Sequence, residues 1–262
     1  MYKTETMARY FIEMGYDGTA YHGWQIQPNG VTVQEVLTDA LRKLTRDRGL
    51  SVMGCGRTDT GVHAEYFVAH FDTEADMGDE GKSLFKLNSI LPADVAVYSI
   101  QQVDEKLHSR FSALSRTYRY RLTMTKDPMA RLYTFRPFFA LDFDAMNEAA
   151  AWLLTVEDFT SFSKLGTQVK TNICDVSVAR WIDEGRGRMT FEIKANRFLR
   201  NMVRAVVGTL FEVGKGRMTL EEFKGVVERR DRCAAGTSVS AAGLSLVDVE
   251  YPEGRGFVRR VR

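Results

Sequence analysis

The stretch GRTDTGVHA, Gly56–Ala64, puts one carboxylate, Asp59, in a short glycine-bounded loop two positions from an arginine, Arg57. Apolar runs flank it, Leu50–Cys55 before and Tyr66–Phe71 after. An aspartate among threonine and glycine ordinarily does no more than form a turn. The arginine changes that reading. A guanidinium so close can hold the carboxylate ionised and aim it through a bidentate contact. An ionised, aimed and partly desolvated carboxylate is what covalent carboxylate catalysis requires. His63, just past the loop, reads as a structural hydrogen-bonding group.

The elements that must hold this loop follow from periodicity. Arg9–Tyr16 reads as a strand ended by Asp17-Gly18, and a long loop runs from there through Asn29-Gly30. Thr32-Val33-Gln34-Glu35 has the capping-box pattern, and Val33, Val36, Leu37, Ala40, Leu41 and Leu44 repeat at helical spacing. The flanks of the Asp59 loop, Leu50–Cys55 and Tyr66–Asp72, read as strands. Lys82–Ile90 is a helix stopped before Pro92, and Val95–Val103 is a strand. Thr117–Met124 alternates, with Tyr118, Tyr120 and Leu122 on one face and Arg119 and Arg121 on the other. Asp144–Leu154 is a helix. Cys174–Asp183 and Met189–Ala195 make a hairpin whose turn glycines lie between them. Leu199–Val213 reads as an amphipathic helix, Thr219 opens another through a second capping box, and Gly243–Tyr251 is a closing strand. Strand pairs mixed with helices give an α+β class with mostly antiparallel sheet. Residues 1–6 read as an extension ahead of the first strand.

Composition bounds the function classes. The 262 residues, 44% apolar and 27% charged, describe an ordinary globular protein with room for a large core. No apolar run reaches the ~18 residues of a membrane span. Cys55, Cys174 and Cys233 are scattered, without the spacing of a zinc site, which points to reduced thiols in a cytoplasmic setting. The histidines show no metal-ligand spacing either, so no metal is expected. Net charge is only +2, but its distribution is uneven. Eight basic residues between Lys106 and Arg136 face one acid, Asp127, and six between Arg186 and Arg204 face one, Glu192. Basic charge in two blocks suits a phosphate-binding face, and 25 arginines against 11 lysines suit planar phosphate recognition.

The nonapeptide resembles the signature of the tRNA pseudouridine synthase A family. Four further blocks, in the same order, resemble that family's other motifs: YDGTAYHGWQIQ at Tyr16–Gln27, RFSALSRTYRYR at Arg110–Arg121, FLRNMVRAVVGTL at Phe198–Leu210 and AAGLSL at Ala241–Leu246. The resemblance implies the pseudouridine synthase fold: two α+β halves, residues 1–105 and 106–262, sharing an extended sheet with a basic central cleft. It implies isomerisation of uridine in the anticodon arm of tRNA, at positions 38 to 40, by a homodimer without cofactor or metal. Asp59 would be the nucleophile, attacking ribose C1′ or uracil C6, and Arg57 its partner. Tyr118 would lie beside the target base, where a phenol can stack and exchange a proton at its tip. Arg204 would stand at the active-site cleft and Arg200 would continue a phosphate track. Arg110 and Arg116 would bind the RNA backbone. Trp24 reads as a core plug and Tyr120 as packing. Two departures stand out: Thr60 replaces the alanine often seen after the aspartate, and Arg200 falls where an aromatic is common.

Two rival readings use the same residues. Asp59-Thr60-Gly61 is the triplet of aspartic proteases, but that chemistry needs two carboxylates sharing a proton, and the chain has no second such triplet. A non-catalytic RNA-binding module would explain the basic blocks and the strand aromatics. It would not explain an aspartate beside an arginine in a glycine loop.

Overall fold

The computed structural model describes residues 7–164, 166 and 170–260, so the extension at residues 1–6 lies outside the described residues. The fold is α+β, with eight strands in a mostly antiparallel sheet and five α-helices among the described residues. Contacts divide the chain into two compact units: Met1–Leu114 with Val247–Arg262, and Ser115–Leu246. The division falls after Leu114, beyond the join expected near residue 105. The connection after residue 104 is tied back into the first unit, where Ser109 Oγ donates to the Met53 carbonyl at 2.9 Å.

In the first unit, β1 (Ala8–Tyr16) lies between β3 (His63–Thr73) and β4 (Val95–Val103), antiparallel to both, and short β2 (Val52–Gly54) adds to β3. Every residue of β1 from Phe11 to Tyr16 is buried, as befits a strand covered on both faces. One of them is Glu13. Four donors meet its carboxylate: the Tyr66 hydroxyl at 2.8 Å, the Ser99 hydroxyl at 2.5 Å, the Gln101 amide at 3.2 Å and the Arg260 backbone N–H at 3.1 Å. A buried carboxylate is tolerable only when so satisfied. It anchors the C-terminal segment on β1, and Gln101 assists by exchanging hydrogen bonds with Val258. Helix α1 (Val33–Thr45) starts where the sequence places it, with Thr32 Oγ accepting from the Glu35 N–H. Helix α2 (Glu80–Ile90) stops because Pro92 forces the preceding Leu91 out of helical geometry, to φ −69° and ψ 147°.

The second unit places β7 (Arg188–Ala195) between β5 (Ser115–Thr123) and β6 (Val176–Gly185), both antiparallel to it. The β6–β7 turn is Arg186-Gly187, both at positive φ, the two-residue turn that matches strand twist. Helices α3 (Phe143–Trp152) and α5 (Leu220–Glu228) begin at side-chain caps, and the capping box expected at Thr219 is complete. Helix α4 (Met202–Gly214) differs from expectation. It starts three residues later than Leu199, after Asn201 in the left-handed region, and it is not amphipathic in effect: every residue but Arg204 and Glu212 is buried. A helix apolar nearly all round belongs in the core. Arg204 is therefore one of two points at which α4 reaches the surface.

A buried imidazole in the first unit has a measurable consequence. His70 on β3 packs with Nδ1 2.7 Å from the Ser109 hydroxyl, and burial, with the charges of Arg9 and His108, pulls its pKa from 6.5 down to about 4. The unfolded ring takes a proton near 6.5 and the folded ring does not until about pH 4. Its stabilising contribution is therefore complete above pH 6.5 and is lost as the pH falls toward 4. Urea unfolding of wild type should weaken across that window, and His70→Gln should flatten the slope; equal slopes for both proteins would show that His70 is not the titrating group.

Candidate active site

The Asp59 loop is shaped by its own backbone and by the segment that follows β1. Asp59 to Val62 is a tight turn, with the Val62 N–H donating to the Asp59 carbonyl at 3.1 Å and Gly61 at φ +76° in the third position. A residue with a side chain would be strained there. Around this turn wraps the Tyr16–Gln27 segment. The Tyr16 hydroxyl lies 2.9 Å from the Thr58 hydroxyl, both buried. Trp24 N–H donates to the Thr58 carbonyl at 3.2 Å, and Gly61 N–H to the Tyr21 carbonyl at 3.2 Å. His63 Nδ1 accepts from Gly18 N–H at 3.0 Å and lies 3.0 Å from Asp17 Oδ1, the structural role expected for it. Trp24 is 3% exposed and stacks on Phe67 at 4.2 Å, so it does plug the core.

Two glycines make this approach possible. A Cβ on Gly23, itself at φ +85°, would stand 2.4 Å from the Thr58 carbonyl oxygen and 3.0 Å from the Asp59 carbonyl carbon. A Cβ on Gly18 would stand 2.0 Å from the Val62 carbonyl oxygen. Both ends of the Asp59 turn thus rest on bare backbone. The sequence marks Gly18 as a turn residue but does not reveal what either glycine presses against.

Arg57 is exposed, and among the described residues no hydrogen bond or ion pair joins it to Asp59. An exposed arginine is well solvated, and a surface ion pair gains only ~0–1 kcal/mol, too little to hold the two together alone. Arg110 also belongs to the first unit, exposed in the turn that follows Ser109.

The remaining expected residues belong to the second unit. Tyr118 on β5 is 8% exposed and meets Phe198 edge to face at 5.1 Å. Phe198 was not singled out by sequence reasoning, although it opens the FLRNMVR block. Arg116 shares the Tyr118 face of the strand and donates one N–H to the Asn196 carbonyl at 2.8 Å. Arg119 lies on the opposite face. It forms a two-pronged contact with Glu192, at 2.9 and 2.7 Å, and Arg180 takes the other carboxylate oxygen at 2.9 Å. Burial opposes the charge on Glu192, but the two guanidiniums hold its carboxyl below the usual range. Arg188 is likewise paired, with Asp127 at 2.7 Å. The basic blocks are thus less uniformly basic than their sequence suggests.

Tyr120 is fully buried, as packing requires, and burial pushes its phenol up, with Arg204 pulling the other way. Arg204 Nε donates to the Val239 carbonyl at 2.7 Å, and the Val239 N–H returns a bond to the Arg204 carbonyl at 3.2 Å. The segment around Val239 lies tight on α4: a Cβ on Gly208 would stand 1.9 Å from the Thr237 carbonyl oxygen. Arg200 precedes the helix and is exposed. Among the described residues no cluster of three or more His, Cys, Asp or Glu could hold a metal ion, and no helix is long and apolar enough to cross a membrane.

The contact under the Asp59 turn can be tested directly. Gly23→Ala would place a methyl in the left-handed region and against the Thr58 carbonyl, at a cost of about 2 kcal/mol or more. Relief of that clash would shift the Asp59 turn, and a displacement near 1 Å can cost about 10²-fold in rate. Melting temperature and turnover should therefore fall together; wild-type values for both would show that the turn does not rest on Gly23.

Comparison with known proteins agrees with the motifs. The family model described as tRNA pseudouridine synthase matches residues 149–252. The tRNA pseudouridine synthase A of Bacteroides thetaiotaomicron is 55% identical over 249 residues, covering 94% of this chain and 92% of that one. The enzymes of the same name from Bacteroides fragilis and Parabacteroides distasonis are 51% and 53% identical, covering 95% and 94% of this chain and 98% and 97% of theirs. With relatives so similar along nearly its whole length, the chain belongs to the tRNA pseudouridine synthase A family.

Proposed function

We propose that this protein isomerises uridine to pseudouridine in the anticodon arm of tRNA, at positions 38 to 40, as a cytoplasmic homodimer that needs no cofactor or metal. The observation that supports the chemistry best is the setting of Asp59: one carboxylate at a glycine turn, braced from below by the backbone of Gly18, Tyr21, Gly23 and Trp24. A reaction with no redox change asks for little more than a positioned nucleophile and a pocket for an extruded base. The C1′–N1 bond breaks, the uracil turns, C1′ joins C5, and the C5 hydrogen leaves as a proton while N1 gains one. Asp59 opens the sequence by attack on C1′ or on C6. Arg57 supplies a guanidinium for the carboxylate or for a flanking phosphate. Tyr118 presents its ring to the target base, and Arg204 completes the charge network. Arg110, Arg116 and Arg200 bind the RNA backbone. The dimer makes sense if one subunit holds the target uridine while the other's basic surface grips the tRNA body.

Asp59 decides between catalysis and turn formation. Asp59→Asn is nearly isosteric, so it should fold and bind tRNA, but an amide cannot form the covalent adduct. C5-hydrogen release should become undetectable. Asp59→Glu keeps the charge and moves it by one methylene, which should cost about 10²-fold or more. A mere turn former predicts the reverse order, with Asn the better replacement. An active Asp59→Asn enzyme would sink the assignment.

Binding should be strongly salt-dependent. Arg116→Ala or Arg110→Ala should weaken tRNA affinity and lower the slope of log affinity against log salt by about one phosphate contact each. A slope that does not move would turn these arginines away from the RNA.

A further inference from the structure

Phe111 stands on the surface with 77% of its area exposed, and a ring left in water at that level needs a reason. Among the described residues Phe85 and Phe138 are as exposed, at 75% and 88%, but neither ring is stacked on another aromatic. Phe111 is held. Its ring lies 4.4 Å from the His108 imidazole at an interplanar angle of 34°, and His108 meets the buried His70 edge to face at 4.6 Å. The column of three rings runs from the core of the first unit to its surface.

The turn beneath the ring is fixed as tightly. His108 Nδ1 accepts the backbone N–H groups of both Arg110 and Phe111, at 3.1 and 3.3 Å. Ser112 N–H donates to the His108 carbonyl at 2.9 Å, and the Ser112 hydroxyl accepts from His108 N–H at 3.0 Å. Nδ1 accepts at both bonds, and burial, Arg9 and Arg110 all hold the His108 pKa below the ordinary histidine value. The Arg110 guanidinium sits 5.6 Å from the centre of the Phe111 ring, and Lys106 is exposed in the same connection.

A rigid, exposed aromatic ring with a guanidinium 5.6 Å from its centre matches one nucleotide, base on the ring and phosphate at the guanidinium. A protein partner would need some 800 Å² per side, far more than one ring offers. We propose that Phe111, backed by His108, is a stacking platform for an unpaired base of the RNA substrate, with Arg110 taking the adjoining phosphate. The inference rests on the reading of the chain as a tRNA-modifying enzyme, and it adds a contact that base-edge recognition and phosphate binding do not supply. Stacking tolerates any base, so the platform gives affinity and register without sequence preference.

The test separates stacking from charge and from apolar contact. Phe111→Ala and Phe111→Leu should each weaken tRNA binding by about 5- to 100-fold, with the salt slope unchanged because no charge is removed. Phe111→Trp should keep wild-type affinity and place an indole on the platform. Its added fluorescence, over that of wild type, should be quenched by a hairpin with an unpaired loop and not by a blunt duplex of equal length. Wild-type affinity in Phe111→Ala, recovery of binding in Phe111→Leu, or equal quenching by hairpin and duplex would overturn the platform. So would a change of oligomeric state in Phe111→Ala at unaltered RNA affinity, which would make the ring a protein contact. Failure of the enzyme reading is distinguished by C5-hydrogen release from wild type, which none of these binding measurements replaces.

Discussion

The contact on which the site depends is one of backbone on backbone. Gly23 and Gly18 let the chain after β1 lie directly against the Thr58–Val62 turn, closer than any side chain would allow. Glycine loses more conformational freedom on folding than any other residue, so the arrangement costs entropy. The return is geometric. Main-chain hydrogen bonds from Trp24 to Thr58 and from Gly61 to Tyr21 satisfy groups that a buried loop would otherwise strand. They also leave the turn no alternative position. Backbone braced on backbone is stiffer than a turn held by side chains.

The second unit solves a similar problem by similar means. Gly208 and Gly236 bring the Thr237–Val239 segment onto α4, and Arg204 is clamped there at both its side chain and its carbonyl. The reciprocal bonds with Val239 fix where the guanidinium begins. Because the rest of α4 is buried, the helix cannot rotate to present another residue. In both units, then, the charged side chain, Asp59 or Arg204, is a minor part of the arrangement. Most of the structural investment lies in small residues that permit close approach.

How much of this the sequence discloses depends on the range of the interaction that fixes it. Local signals read cleanly. Val95–Val103 has the expected bounds, the capping box at Thr219 is there, and the strand with alternating Tyr and Arg buries Tyr118, Tyr120 and Leu122. The edges drift where tertiary contacts decide, as at α4, whose start is set by Asn201 in a left-handed conformation and whose polar face is reduced to two residues. What spacing cannot show is partnership across the chain. Arg119 and Tyr118 are neighbours in sequence but lie on opposite faces, and only the β7 register reveals that Glu192 stands across from Arg119. Asp17-Gly18 reads as a turn; the meeting of Gly18 and Gly23 with the Asp59 turn, some forty residues away, is a long-range fact.

The two arginine blocks carry the same lesson into electrostatics. Counted along the chain they are nearly uncompensated, yet their acids are not spectators. Glu192 sits between Arg119 and Arg180, and Asp127 holds Arg188. A carboxylate shared by two guanidiniums cancels one of their two positive charges, and the planar forks are pinned to a face of the sheet. Arg116 lies on the Tyr118 face and donates one N–H to the neutral Asn196 carbonyl. A bond to a carbonyl orients a guanidinium without cancelling its charge. The strand therefore separates its arginines by parity alone: on one face Arg119 is committed to Glu192, and on the other Arg116 shares the side of Tyr118.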